Sequence, residues 1–225
     1  MVGRKNILAG RKLAAAGLLA AAAAGTGFYW KSRMSVPAYT VLRVMDGDTF
    51  ETTEKQLIRL AHIEAPELDL CGGEDAKDTL EKLVLNKPVY LKVMYRDKYM
   101  RLLSLVYTKD GFVNESMART GNAIYRMDWS ATAETKKLAR AQEQARSEKA
   151  GIYGPECTQD DNPEKPNCNI KGNMREGNDS KIYSYPGCES YARTAVQLYL
   201  GDSWFCTEAE ARKAGFVKAN GCPEK

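Results

Sequence analysis

Tyr39–Met45 alternates apolar and polar side chains, several of them β-branched, and ends at Asp46-Gly47, a dipeptide suited to a tight hairpin turn. This run constrains the fold most, because it is the first of a spaced series. Phe50–Thr53, Gln56–Ile63, Pro88–Tyr95 and Leu102–Tyr107 also read as strands, with Pro66 ending the third and Lys109-Asp110-Gly111 forming a turn. Between them, Glu74–Leu85 has helical spacing at Ala76, Leu80 and Leu83. Val113–Thr120 reads as a helix capped by Asn114 and closed by Gly121, and Ala133–Lys149 as an amphipathic helix stopped by Gly151. Five short strands with interleaved helices predict an α+β chain built on a five-stranded barrel of OB type.

The strand ends carry the chemistry. Asp46-Gly47-Asp48-Thr49 is followed by Arg59-Leu60-Ala61-His62-Ile63-Glu64-Ala65-Pro66-Glu67 and then by Asp97-Lys98-Tyr99-Met100-Arg101. Carboxylates alone suit a hard cation, and arginines alone suit a phosphate. Together they suit metal-assisted cleavage of a phosphodiester, in which cation and guanidinium groups stabilise charge on phosphorus while a carboxylate activates water. A lone Asp-Gly is usually only a turn. The ordered Arg and Glu motifs behind it raise this one above that reading.

These motifs resemble those of staphylococcal-nuclease-type (thermonuclease) domains, from about Ala38 to Gly154. The resemblance implies Ca²⁺ as cofactor and hydrolysis of DNA or RNA to 3′-phosphate products. It places Asp48, Glu64 and the carbonyl of Ala65 on the metal, Glu67 as general base, and Arg59 and Arg101 on the phosphate. Lys98 and Tyr99 match substrate-side positions. Glu64 stands where the family usually has aspartate, and Ala65 where it commonly has threonine. Asp46 is expected to serve the turn, Tyr125 either to stack on a base or to be buried, and Val113-Asn114-Glu115 and Gly151–Gly154 to act as scaffold. The alternative is an OB-type module that binds nucleic acid or protein without catalysis.

The rest of the chain bounds where such a domain works. Hydrophobic and charged contents of 44% and 28% are ordinary for a globular protein, and a net charge of +4 is a mild excess that suits a polyanion or simply a mixed surface. One histidine, His62, rules out mechanisms built on a His pair and disfavours His-rich zinc sites. Residues 1–12 carry Arg4, Lys5, Arg11 and Lys12, and Leu13–Trp30 follows as 18 uncharged residues ending in Phe28-Tyr29-Trp30. At ~1.5 Å per residue that run reaches ~27 Å, enough for a thin bilayer. The basic flank and aromatic end predict a single-pass anchor at 13–30 with a cytoplasmic amino terminus, a tether at 31–37, and an extracytoplasmic nuclease domain at 38–157. A cleaved signal peptide, with the small residues Ala21–Gly25 for processing, is the rival reading.

Thr158–Asn167, with two prolines and no large apolar residue, reads as a linker, and 168–225 as a small second module. Its segments Cys168–Asn173, Ile182–Cys188, Trp204-Phe205-Cys206 and Glu208–Phe216 resemble a small module often appended to secreted bacterial nucleases. More distantly they resemble the zinc-binding domain of a bacterial alkyl-DNA repair protein. Ala192 and Ala219 stand near two of that domain's four thiolate positions, so a zinc site is discounted. Six cysteines without a CxxC pair favour disulfides in an oxidising compartment, with 15 possible connectivities. Cys71 follows the loop bearing Glu67, and Cys157 the last helix of the barrel, so they are expected to pair. The distant zinc relative places Cys188 beside Cys222, which leaves Cys168 with Cys206.

Overall fold

The computed structural model describes residues 38–126, 131–175 and 180–223, and residues 39–225 cluster as one compact unit. The expected anchor at 13–30, with its flanks at 1–12 and 31–37, lies outside the described residues. Among the described residues no helix is long and apolar enough to cross a membrane.

The first strands fall near the expected runs, although burial alternates only in the third. Tyr39–Val44 (β1), Thr49–Thr52 (β2) and Leu57–Leu60 (β3) form an antiparallel meander, and Ile63–Glu64 (β4) follows. The expected strand 56–63 is therefore two pieces. His62 has φ 61°, a left-handed conformation that ends β3 and redirects the chain. Gly73–Val84 (α1) buries Ala76, Leu80 and Val84, one face at intervals of four. Pro88–Arg96 (β5) and Leu102–Thr108 (β6) pair antiparallel, and Gly111–Phe112 (β7) folds back on β6. β5 also pairs with β1, and β3 runs parallel to β6, so the five strands β1-β2-β3-β6-β5 close on themselves. Closure leaves none of the five with an open edge.

Helix Val113–Arg119 (α2) begins at Phe112, which offers no side-chain cap. Asn114 is not the cap the sequence suggested. It is fully buried, accepts from Val106 N at 2.9 Å and donates to the Ala61 carbonyl at 2.9 Å. A buried amide satisfied on both sides ties α2 to β6 and to the residue that follows β3. Ile124–Tyr125 (β8) pairs with β4. Helix Ala133–Ser147 (α3) opens on a reciprocal capping box between Thr132 and Thr135 and buries Leu138, Ala141 and Ala145.

Beyond the barrel, Thr158–Gln159 (β9) is a strand at the head of the expected linker 158–167. Ile170–Met174 (β10), Lys181–Ser184 (β11), Val196–Gln197 (β12), Ser203–Phe205 (β13), helix Glu208–Lys213 (α4) and Val217–Lys218 (β14) complete the module. Its sheet runs β13-β10-β11-β14, while β12 leaves it to pair with β9. Leu198 N donates to the Cys157 carbonyl, Trp204 Nε1 donates to Gln159 Oε1 at 2.7 Å, and Tyr199 meets the Tyr153 ring edge-on. Barrel and module thus share a small core of Ala145, Ile152, Tyr153, Cys157 and Tyr199. The disulfides are Cys71–Cys157, Cys168–Cys206 and Cys188–Cys222.

Candidate active site

Asp48 lies at the start of β2, directly after the Asp-Gly turn. Its backbone N–H donates to Asp46 Oδ1 at 2.9 Å, so Asp46 shapes the turn. A Cβ on Gly47 would sit 2.5 Å from the Cβ of Ala65 and 2.6 Å from that of Ala76. Only glycine lets this turn press against both α1 and the segment that carries the next carboxylates.

The Asp48 side chain is 2% exposed. One oxygen accepts from Thr49 Oγ1 at 2.8 Å and makes a short ion pair with Arg59 Nη1. The other accepts from Ala65 N at 3.3 Å. Burial pushes the Asp48 carboxyl up to about 7, against the opposing pull of Arg59, while the nearby Asp46 carboxylate pushes the same way as burial. Arg59 reaches Asp48 because β2 and β3 pair with Thr49 opposite Arg59. On its other side Arg59 faces Leu103 of β6, two positions after Arg101. Closure of the barrel therefore sets Arg59 beside the strand that Arg101 leads into.

Arg101 sits at the base of the β5–β6 hairpin. Asp97 Oδ1 accepts from Tyr99 N and Arg101 N, both at 2.9 Å, and Asp97 Oδ2 pairs with Arg101 Nε at 2.8 Å. Desolvation raises the Asp97 carboxyl, but these donors outweigh it and hold it below its usual range. Lys98 and Tyr99 form the exposed tip, with Lys98 Nζ 5.0 Å and the Arg101 guanidinium 5.4 Å from the centre of the Tyr99 ring. Aromatic and basic groups together suit a nucleic-acid strand.

Glu64, Ala65 and Glu67 border a cleft of about 250 Å³. Glu67 is exposed there, on a turn in which Leu70 N donates to the Glu67 carbonyl. A Cβ on Gly73 would fall 2.0 Å from that carbonyl, so α1 can start this close to the turn only at a glycine. Cys71–Cys157 ties the same turn to the segment after α3. His62 lies between Arg59 and Glu64 at its left-handed turn, and its carbonyl accepts from Arg126 N. Tyr125 packs against the barrel core.

Three residues of this region escape a reading of the sequence. Thr49 fixes one Asp48 oxygen. Arg126 makes a short ion pair with Glu64 across 62 positions. Arg175, from the module, lines the cleft together with Met174, Tyr199 and Leu200. Thr49 closes the Asp46–Thr49 motif, but its residue type alone does not show that it would hold the Asp48 carboxylate. Arg126 and Arg175 stand in no motif, and only the tertiary fold brings them to the cleft.

The groups at the three expected metal positions are of the type a hard cation takes. They are oxygens throughout: the Asp48 and Glu64 carboxylates and the Ala65 carbonyl, which belongs to the residue whose N–H meets Asp48. Among the described residues no three His, Cys, Asp or Glu side chains group as a metal site. Carbonyl, water and phosphate oxygens would have to complete the shell, as Ca²⁺ permits.

The model of the family described as staphylococcal nuclease homologue matches residues 57–154. An uncharacterised endonuclease of Escherichia coli O157:H7 is 36% identical over 117 residues, which are 50% of this chain and 74% of that protein. An uncharacterised endonuclease of Haemophilus influenzae is 32% identical over 130 residues, 56% of this chain and 68% of that protein. The staphylococcal-like nuclease CAN1 of Arabidopsis thaliana is 33% identical over 125 residues, 56% of this chain and 36% of that protein.

Proposed function

The chain belongs to the family of staphylococcal nuclease homologues, and from that premise we propose that it is a Ca²⁺-dependent nuclease that cuts phosphodiester bonds of DNA or RNA and leaves 3′-phosphate ends. The observation that carries this reading is the linkage of buried Asp48 to Arg59 and to the Ala65 peptide, two residues from an exposed Glu67 in an open cleft.

Asp48, Glu64 and the Ala65 carbonyl would hold the ion. When bound, Ca²⁺ supplies positive charge that polarises the phosphate and the attacking water. Glu67 accepts the proton of that water. The water oxygen bonds to phosphorus, the P–O5′ bond breaks, and the 5′ oxygen leaves, taking its proton from solvent water. Arg59 and Arg101 offer planar guanidinium groups to the phosphate oxygens, and their pairing with Asp48 and Asp97 orients them beforehand. Lys98 and Tyr99 receive the strand on the exposed hairpin.

The reading extends to location. Residues 13–30 anchor the chain, and the nuclease domain lies outside the cytoplasm. The basic flank, the aromatic end and three disulfides support this. Recovery of a soluble form shortened at its amino terminus would reveal a cleaved signal instead. Protection of the domain from protease in intact spheroplasts would reverse the topology.

One observation favours the second reading, a binding module without catalysis. Both carboxylates assigned to the ion already hold an arginine, Asp48 with Arg59 and Glu64 with Arg126. Digestion of labelled single- and double-stranded DNA and RNA, in Ca²⁺ and in excess chelator, with analysis of product ends, separates the two. Ca²⁺-dependent cleavage to 3′-phosphates supports the nuclease. Cleavage that survives the chelator overturns its metal dependence. Binding without cleavage selects the second reading.

A further inference from the structure

The cleft beside Glu67 has two owners. The barrel supplies the Glu64–Glu67 turn and Arg126, and the module supplies Met174, Arg175 and Tyr199. We propose that the C-terminal module is a working wall of the substrate cleft, in which Arg175 grips a phosphate of a single nucleic-acid strand next to the bond being cut. The inference rests on the nuclease reading for the identity of that bond and extends it to the substrate's form.

Charge motivates the assignment. The barrel side presents Glu64 and Glu67, which would repel an anionic strand. Arg59, Arg101 and Arg126 are each paired, with Asp48, Asp97 and Glu64. Among the described residues no carboxylate pairs with Arg175. It is thus the cleft's available guanidinium for a phosphate other than the one under attack.

The mount is built to hold a position. Asp202 is 4% exposed and accepts from Met174 N at 2.7 Å, from Asn173 Nδ2 at 2.7 Å and from Gln197 N at 2.9 Å. It therefore locks the end of β10, where Arg175 follows, to the β12 strand that is spliced onto the barrel through β9. Arg175 N donates in turn to the Ser180 carbonyl. A surface arginine needs no such mount; one that must meet a substrate atom does.

Size sets the substrate's form. A cleft of about 250 Å³ walled on two sides by different parts of the chain is sized for one nucleotide, and on that ground we infer a single strand as the substrate. Half-buried Tyr191 and Trp204 belong to other parts of the module, whereas Leu200, half-buried at the cleft above the enclosed Tyr199, gives a nucleoside an apolar neighbour.

The test uses the full chain and a single-stranded oligonucleotide of about a dozen residues. Arg175→Ala should raise KM by about 10-fold, the loss of one charge-assisted contact, with the larger part of the defect in KM rather than kcat. The slope of log KM against log salt should shrink by about 0.7, one phosphate contact on a single strand. Lys213→Ala removes the same charge from an exposed position on α4 outside the cleft, and should leave that slope alone. A parallel measurement keeps the two readings apart: affinity of the labelled oligonucleotide for the Glu67→Gln protein with and without Arg175→Ala. If the wild-type protein binds but never cuts, the nuclease reading fails while a 10-fold loss of affinity still supports the grip. Unchanged KM, affinity and salt slope in Arg175→Ala would overturn the proposal. So would equal losses for Lys213→Ala, or a defect lying mainly in kcat.

Discussion

The barrel and the C-terminal module are held together by different means. The barrel buries a continuous core that includes Val41, Phe50, Ile58, Leu80, Val89, Val106, Met117 and Leu138. The module's own core is Ile170, Tyr183, Tyr185, Cys188, Ala211 and Phe216, and half of these carry a polar or sulfur atom. Two of the three disulfides lie in the module, and the third lies in the barrel, between the Glu67 turn and the end of the domain. A unit of some fifty-five residues cannot bury enough apolar surface alone, so covalent links and the splice onto β9 take over the work that packing does in the barrel. The chemistry divides along the same line. The candidate catalytic residues stand on the packed part, and the candidate grip stands on the stapled part.

Five variants test that division, in descending size. Phe50→Ala should cost about 3–5 kcal/mol, because a fully buried ring leaves a cavity the closed barrel cannot fill. Thermal or urea unfolding measures it, and a loss below 1 kcal/mol would break the claim that packing holds the barrel. Cys168→Ser with Cys206→Ser should cost about 4 kcal/mol on the chain-entropy model for a loop of 38 positions. Hydrogen exchange should place that loss in 170–218, with protection at Val41 and Leu80 retained; uniform loss would merge the two regions into one cooperative unit.

Arg101→Ala, and separately Glu67→Gln, should lower the cleavage rate by about 10²–10³, with the unfolding midpoint little moved. Full activity in either would remove the chemistry from the barrel. Smallest is Thr207→Ala, which deletes the reciprocal capping box at the start of α4 and should cost about 1 kcal/mol. Its effect should appear as faster exchange in the module, without any change in the barrel's melting profile.

Alternation and the Asp-Gly turn made the barrel strands legible, because a half-buried strand must place apolar residues on one side only. The break at His62 was not legible: a non-glycine residue in the left-handed region is forced there by neighbours, and its type carries little sign of it. Asn114 misled for a related reason. Asn favours helix starts, yet here two buried backbone partners made it worth enclosing. At the site, the sequence listed carboxylates and arginines in order without revealing which ones pair. The Glu64–Arg126 contact and the presence of Arg175 at the cleft join distant segments that no local pattern links. The splice of β9 to β12 stayed hidden as well, since Thr158–Gln159 opens a stretch whose prolines speak for a linker.

The disulfides also set how far the molecule can be pulled. Between Ala38 and Cys222 the shortest covalent path follows residues 38–71, crosses to 157–168, crosses again to 206 and ends at 222. Roughly a third of the backbone can pay out under tension, about 200 Å at ~3.3–3.6 Å per residue. Helices α1, α2 and α3 and strands β5 to β8 lie inside the first loop and carry none of that load. Drawn between a fixed amino end and a substrate gripped by the module, the chain would transmit force through β1 to β4 and the Glu67 turn while the rest of the barrel stayed mechanically shielded.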